Sequence, residues 1–153
     1  MIKQLIGYKA WANRELFDCL LALPARTAAE PRHTMIRLLN HVYVVDQIFR
    51  AHLSATQHGH RALNTLATPS LSELWAAVQE IDHWYLDYAS GLTGEQLEQR
   101  LDFVFVDGTA GNLSRAEMLL HVVNHGTYHR GAVGELLHQC GSAPPRDVLT
   151  RYL

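Results

Sequence analysis

The sequence lacks most of the features of disulfide-rich secreted proteins. It has only two cysteines, Cys19 and Cys140, which lie far apart and form no CxxC motif. This spacing indicates neither a disulfide framework nor a zinc–thiolate site. We expect both cysteines to be buried as small apolar side chains.

Long apolar segments and basic clusters are also missing. No stretch approaches the roughly 20 apolar residues that span a bilayer, and the first residues alternate too early for a signal peptide. The net charge is -2, and no run of lysine or arginine marks a surface that neutralises phosphates. We therefore expect a cytoplasmic protein that binds neither membranes nor nucleic acid.

What remains is the composition of a globular protein. Apolar residues make up 48% and charged residues 18% of the 153 positions. This length suits one domain with a core of its own, and the sequence shows no internal repeat, low-complexity tract or linker. We predict that residues 1–153 form a single domain.

Four segments carry apolar residues at three- and four-residue spacing, which predicts four amphipathic helices. Two of them follow a capping box, Ser70 with Glu73 and Ser114 with Glu117. The second segment follows a loop with Pro31, and Thr34 is its expected cap. The predicted helices are Ile2 to Leu21, Met35 to about Ala55, Ser70 to about Ser90, and Arg115 to Cys140.

The connections have other patterns. Thr56 to Pro69 shows no period and is predicted to be a loop. The segment LDFVFVDGTAGNL, residues 101–113, favours strand and contains the turn pair Asp107-Gly108, so we expect a small hairpin or extended arm. The tail DVLTRYL is expected to form one or two helical turns. An all-α four-helix bundle follows, with the arm before the last long helix.

Ten histidines are present, and three of them recur at four-residue spacing in the stretch HVVNHGTYHRG. His121, His125 and His129 share the apolar stripe of the last long helix, so we expect them to face inward. A buried imidazole needs partners for both ring nitrogens, and a metal ion satisfies several imidazoles together. One such histidine alone is more often a hydrogen-bonded core residue.

Only two of these three histidines can readily share one metal ion. His121 and His129 lie about 12 Å apart along the helix axis, at roughly 1.5 Å per residue. A third ligand must then come from another helix, and His41 is the best donor because it lies on the inward stripe of the second helix. The spacing alone leaves open which pair of the last helix is used.

The remaining histidines have simpler interpretations. His52, His83 and His138 lack a partner at metal-ligand spacing and are interpreted as packing or surface residues. We place His33, His58 and His60 in loops. The His58-Gly59-His60 motif suits weak metal binding, but an exposed loop is the favoured reading.

The chain resembles the DinB/YfiT-like superfamily of bacterial metal-binding four-helix bundles, over nearly its whole length. The motifs that carry the resemblance are YKAWANREL, LLNHVYVVDQIF, LSRAEMLLHVVNHGTYHRG and PRDVLTRYL. The resemblance implies one metal ligand from the second helix and two from the last, which are His41, His125 and His129. His121 then becomes a packing residue beside the site.

Three protein ligands leave a four-coordinate metal ion with an open position, as in catalytic sites. The resemblance further implies a metal-dependent enzyme, a transferase that uses a small thiol or a related isomerase or hydrolase. The alternative is a metal-binding stress-response protein without turnover. Zinc is the expected metal, with nickel next. We find no unambiguous general base, although Asp46 and Glu117 are available carboxylates.

A homodimer is also predicted. The first and third helices are rich in aromatic residues, which are favoured at protein interfaces. One small bundle does not need all of them for its core. The residues concerned are Trp11, Trp75, Trp84, Tyr85 and Tyr88.

Overall fold

A computed structural model describes residues 1–24 and 29–153 of the chain. Its four long helices are α1 (Ile2–Leu21), α2 (Ala29–Leu53), α3 (Leu71–Gly91) and α5 (Arg115–Gln139). The shorter elements are α4 (Gly94–Glu98), β1 (Arg100–Val104), β2 (Ala110–Ser114) and α6 (Leu149–Tyr152). This arrangement confirms the predicted mostly helical fold with a small arm before the last long helix.

Side-chain caps fix where three helices begin. Both predicted capping boxes are present. The Ser70 side chain accepts from the Glu73 amide, and the Ser114 side chain accepts from the Glu117 amide. Each glutamate side chain in turn accepts a hydrogen bond from the backbone amide of its cap residue. A third box, at Thr93, begins the short α4, which the sequence analysis missed. In all three, side chains satisfy backbone amides that lack a helical partner.

The predicted start of α2 at Met35 is wrong. The helix is already formed at Ala29, so Thr34 lies inside it and is not its cap. Pro31 is tolerated because it falls in the first turn, where the missing amide would have no helical acceptor. His33 therefore lies on a helix rather than in a loop.

The hairpin forms where the sequence predicts it. Strands β1 and β2 pair antiparallel, with Phe103 opposite Gly111. The Phe103 ring lies over Gly111, where a larger residue would collide with it. Gly108 has a φ of 87°, in the left-handed region that glycine adopts without strain, and it forms the turn.

The four long helices pack in a closed ring in which α1 contacts α3 and α5, and α2 contacts the same two helices. Their buried side chains form two apolar clusters. The upper cluster includes Ala12, Val45, Ile81 and Val123. The lower cluster includes Leu16, Leu39, Val78 and Val133.

A layer of buried charge crosses the bundle beside the upper cluster. Lys9 is fully buried, and its Nζ atom lies 2.7 Å from Asp46 and 2.6 Å from Asp82. Asn13 donates to Asp82 at 2.8 Å and accepts from Arg130 at 3.1 Å. All four long helices thus contribute to one hydrogen-bonded layer.

Opposing effects set the charge states in this layer. Burial raises the pKa of Asp46 to about 6, although the Lys9 ammonium pulls it down. Burial disfavours the Lys9 ammonium, but Asp46 and Asp82 outweigh this effect and raise the pKa of Lys9. At neutral pH the layer therefore holds a buried cation between two carboxylates.

The C-terminal tail is tied to the same layer. Arg130 Nε donates to Asp147 at 2.7 Å, and the Tyr8 hydroxyl donates to the same carboxylate. Further along, α6 places the Tyr152 ring against Gly7 of α1. The predicted helical turn in the tail is confirmed, and it packs on the bundle.

The aromatic residues behind the homodimer prediction pack inside the chain. Tyr85 is 0% exposed, and its hydroxyl donates to the Asp46 carbonyl at 2.7 Å. The others are half-buried against the chain's own rings: Trp11 against Tyr152, Trp75 against Phe17, and Trp84 against Tyr88. This packing removes the aromatic surplus on which that prediction rested.

The two cysteines lie beside the lower cluster. Cys19 and Cys140 are free and half-buried, not fully buried as expected, because they flank the lower cluster.

Across the described ranges 1–24 and 29–153, no helix has the length and apolar character needed to cross a membrane.

Replacing Lys9 with methionine is expected to destabilise the fold by about 3–5 kcal/mol, because two buried carboxylates lose their cation. Urea unfolding followed by circular dichroism measures the change. The matched control is Lys3→Met, since Lys3 is exposed. A loss for Lys9→Met no larger than that of the control would show that the buried pairing contributes nothing net.

Candidate metal centre

The structure brings together the three histidines predicted as ligands. His41 projects from α2, and His125 and His129 project from successive turns of α5. Their ring centroids are 4.9, 4.7 and 4.6 Å apart, so the rings form a nearly equilateral triangle. One nitrogen from each ring lies within 4.8 Å of the others, an arrangement that can hold a metal ion.

Backbone hydrogen bonding sets the orientation of His41. Its Nδ1 atom lies 2.7 Å from the carbonyl oxygen of Leu63. Because a carbonyl only accepts, Nδ1 carries the proton and Nε2 keeps its lone pair. That Nε2 atom faces Nε2 of His125 at 3.0 Å, toward the centre of the triangle.

The loop that supplies the Leu63 carbonyl is held by α2 itself. Asn40, only 3% exposed, donates from its amide to Asn64 at 2.5 Å and to the Thr65 hydroxyl at 2.6 Å. Asn64 donates in turn to the Arg37 carbonyl at 3.0 Å. The residue before His41 on α2 therefore fixes the loop that orients His41, in the manner of outer-shell groups around metal ligands.

The other two histidines have unsatisfied nitrogens. Among the described residues, no hydrogen-bond partner reaches the buried Nδ1 atoms of His125 and His129. A buried polar atom without a partner costs about 1–3 kcal/mol. Independently of these atoms, the lone pair of His41 Nε2 meets Nε2 of His125 at 3.0 Å, so the residues present fit a cation that several ring nitrogens bind together.

Burial keeps His125 and His129 neutral. It is the main cause that lowers the pKa of His125 to about 3, and the neighbouring His129 and His41 rings add to the effect. Burial, and then His41, also lowers the pKa of His129. Both imidazoles are therefore unprotonated at neutral pH, the state in which histidine binds metals.

His121 lies outside the triangle, and the expectation that it faces inward is wrong. His121 is exposed on α5, and its ring lies over the surface of α2. It stacks on Phe49 with centroids 4.5 Å apart and lies 5.5 Å from the His125 ring. The partial burial lowers the pKa of His121. His121 thus forms one wall beside the cluster.

Neither carboxylate suggested as an acid–base group is free. Asp46 is 1% exposed and is bound to Lys9 in the buried layer. Glu117 caps α5 through the Ser114 amide and lies 3.3 Å from Arg100. The fold therefore already uses both carboxylates, which removes them as obvious catalytic bases.

The other histidines follow two patterns. His83 and His138 are exposed, which agrees with the surface interpretation and not with the packing interpretation. His58 and His60 lie in the predicted loop but are half-buried. The His58 ring lies against His52 of α2, and the His60 ring stacks on His58. Sequence reasoning missed this second group because its members are not at helical spacing.

The fold and the site together define the class: a four-helix bundle with a three-histidine cluster that could hold a metal ion. Residues 1–153 match the model of the DinB family, and the chain belongs to this family. It is similar to Protein DinB of Bacillus subtilis (strain 168), with 26% identity over 163 residues that cover 98% of this chain and 92% of that protein. The resemblance noted from the sequence motifs is thereby confirmed.

A solved structure supports the fold. The crystal structure of a DinB-like protein from Bacillus cereus ATCC 10987 aligns with a TM-score of 0.65 over 91% of this chain and 90% of that chain. The two sequences are 18% identical, so the likeness concerns the fold alone.

Replacing Asn64 with alanine is expected to weaken metal binding by about 10- to 100-fold, because the Leu63 carbonyl loses the support that orients His41. Titration of zinc against a competing chelator measures the affinity. Asn124→Ala is the control, since Asn124 is an exposed asparagine on α5. Equal affinities in the two variants would contradict the role of the loop.

The pH dependence of the metal-free protein provides another prediction. The pKa of His125, about 3 when folded, lies below the 6.5 of a free histidine, so the unfolded chain binds the proton first. The contribution of His125 to stability is complete above pH 6.5 and declines as the pH falls toward 3. Asp46, with a pKa raised to about 6, acts in the opposite direction.

Comparison with a variant isolates the His125 contribution. His125→Asn should lose less unfolding free energy than the wild type between about pH 7.5 and about pH 5. Urea unfolding of chelator-treated protein at both pH values measures this difference. The exposed His138→Asn is the control and should behave like the wild type. Parallel losses in all three proteins would overturn the prediction.

Proposed function

We propose that the chain binds one divalent transition-metal ion through His41, His125 and His129. The observation that carries the proposal is the triangle of three half-buried imidazoles whose ligand atoms lie within 4.8 Å of one another. Zinc suits three imidazoles and an open fourth position, and nickel is the second choice. Copper would bind more tightly on affinity alone, so metal supply decides among them.

We further propose that the site is catalytic and acts on a small thiol as a transferase, or as a related isomerase or hydrolase. A bound metal ion of this kind would polarise a thiol, a water molecule or a carbonyl at its open position. The half-burial of all three histidines supports this reading, because a ligand can approach from solvent. The exposed His121 ring, stacked on the buried Phe49, provides a wall against which a substrate can pack.

The alternative function is metal binding without turnover in a cytoplasmic stress-response protein. The roles of these two carboxylates in the fold favour it, since neither the buried Asp46 nor the exposed Glu117 is free to transfer a proton. Titration of cobalt-loaded protein with small thiols separates the two functions. A change in the cobalt absorption bands at millimolar thiol supports an open site, and an unchanged spectrum supports a closed one.

Replacing His129 with alanine is expected to abolish metal binding and activity while the protein stays helical. The two apolar clusters and the Lys9 layer do not include His129, and one truncated half-buried ring costs only part of a stability of about 5–15 kcal/mol. Metal content and thermal melts by circular dichroism measure the two effects. His138→Ala, an exposed histidine on the same helix, is the control.

Chelation completes this test. If the metal ion were structural, its binding energy would be coupled to folding, and both His129→Ala and the chelated wild type would lose most of their helix at room temperature. A modestly lowered melting temperature in both is the outcome expected for a catalytic site.

The homodimer also stays a proposal. Its aromatic argument has been removed, and exposed apolar residues of α5, Leu120 at 51% and Tyr128 at 75%, are the remaining surface that favours it. Sedimentation at micromolar concentration decides between monomer and dimer.

A further inference from the structure

A second group of histidines lines a cleft on the hairpin side of α2. The cleft has a volume of about 620 Å³ and is bordered by His52 of α2, by His58, His60 and Arg61 of the following loop, and by Val104 of β1. No carboxylate belongs to its lining. The cleft is therefore surrounded by imidazoles and one guanidinium.

Hydrogen bonds determine what two of these imidazoles offer. The backbone amide of His60 donates to His58 Nδ1 at 3.0 Å, so the neutral His58 ring carries its proton on Nε2. His60 Nε2 lies 3.0 Å from the Gln47 side-chain oxygen, which accepts a hydrogen bond from it. The Gln47 amide nitrogen is directed to the Tyr43 hydroxyl, which fixes this amide orientation.

Two groups of the cleft lack partners. The buried Nε2 atom of His52 makes no hydrogen bond to any described residue. Arg61 is exposed, and its guanidinium forms no ion pair or hydrogen bond within residues 1–24 and 29–153. A charged donor thus lies on one concave surface, and the unsatisfied His52 nitrogen is buried behind it.

A metal ion is a poorer occupant than an anion. The three rings are more widely spaced than those of the metal centre, at 5.4 Å between His52 and His58 and 5.9 Å between His58 and His60. Among the described residues, the ring nitrogens of His41, His125 and His129 come within ligand distance of one another, whereas those of the cleft do not. The His58 lone pair is already occupied by an amide, and the Arg61 charge repels cations.

We propose that the cleft formed by His52, His58, His60 and Arg61 binds a small anionic group, a carboxylate or a phosphate. Arg61 supplies the charge, and the His58 Nε2–H group supplies a second donor; guanidinium groups bind such anions with paired, charge-assisted hydrogen bonds. This inference rests on the cleft alone and does not depend on the proposed function.

Aromatic rings connect the cleft with the metal centre. The His52 ring lies 6.0 Å from Phe49, Phe49 lies 4.5 Å from His121, and His121 lies 5.5 Å from His125. The anionic group can therefore belong to a substrate that extends along these rings to the metal centre, or to a separate small anion. The chemistry recognised by the cleft is the same in both cases.

The first experiment titrates the full-length protein with inorganic phosphate at constant ionic strength and follows the histidine side-chain signals by NMR. Saturable shifts are expected for His52, His58 and His60, with no such shifts for His33 and His138. Arg61→Gln should weaken binding by about tenfold or more, as expected for the loss of one charge-assisted contact. Arg146→Gln, which removes an equally exposed arginine elsewhere, should change nothing.

Two results would overturn the proposal: equal, unsaturable shifts of all histidines, or the same affinity in Arg61→Gln and Arg146→Gln. His129→Ala should retain the phosphate response, since the cleft is separate from the metal centre. A lost response in a folded His129→Ala protein would assign the binding to the metal centre instead and would also contradict the proposal.

A second titration distinguishes the two sources of the anion. Because His52 lies 11 residues beyond His41 on α2, about 16 Å along the axis at roughly 1.5 Å per residue, a long probe is needed to reach both sites. The probes are 11-mercaptoundecanoate and undecanoate, each with zinc-loaded and with chelated protein. If the anion is one end of a thiol substrate, the mercapto acid binds the zinc-loaded protein more tightly than undecanoate does, and Arg61→Gln weakens its binding. If the anion is a separate ligand, Arg61→Gln weakens phosphate binding but leaves the affinity of the mercapto acid for the zinc-loaded protein unchanged.

Discussion

The buried Lys9 ammonium is the interaction on which the rest of the structure depends. It joins Asp46 of α2 and Asp82 of α3 to α1 through two contacts shorter than 3 Å. A side chain at Gly126 of α5 would lie against Lys9, so the fourth helix approaches the same point closely. A buried charge tolerates no shift of its partners, because any unpaired group in this low-dielectric layer is costly. Apolar stripes alone would allow the helices to slide by a turn.

This fixed register has a direct consequence for the histidines. His41 precedes Asp46 by little more than one turn of α2, and His125 immediately precedes Gly126 on α5. Because this layer fixes the register of α2 against α5, it also fixes the height of His41 relative to His125. Their Nε2 atoms are 3.0 Å apart as a result. Metal ligation requires such alignment, and helix–helix packing with its usual tolerance would not guarantee it.

The sequence allowed those features to be predicted that depend on neighbours along the chain. Helical spacing and the boxes at Ser70 and Ser114 located three of the four long helices within a residue or two. The pairing of His125 with His129, and the choice of His41, needed the family resemblance as well, because the spacing alone did not exclude His121. The exposure of His121 depends on how its ring leans over Phe49, which no periodicity encodes.

Other features depend on contacts between distant residues, and these were missed. Lys9 was not recognised as a core residue because lysine is almost never fully buried unless paired, and its partners lie on two other helices. The Leu63 carbonyl is a backbone atom in a loop, so no side-chain pattern marks its role beside His41. The early start of α2 escaped detection because Pro31 was taken as a loop residue, although the first turn of a helix accepts proline.

The division between a deep charged layer and a shallow histidine cluster bears on what the metal centre is for. In this layer Lys9 pairs with Asp46 and Asp82, and Arg130 donates to Asn13, so the chain's own side chains join all four long helices. One buried oxygen, Asp46 Oδ1, has no partner among the described residues. The three histidines lie half-buried at the surface of that scaffold, with unsatisfied nitrogens on His125 and His129. A site that served to hold the fold would be expected to replace such a layer, as structural zinc does in chains too small for a core. Here the charged layer and the two apolar clusters already hold the scaffold, so the free energy of binding a metal ion would be available to bind and polarise a ligand.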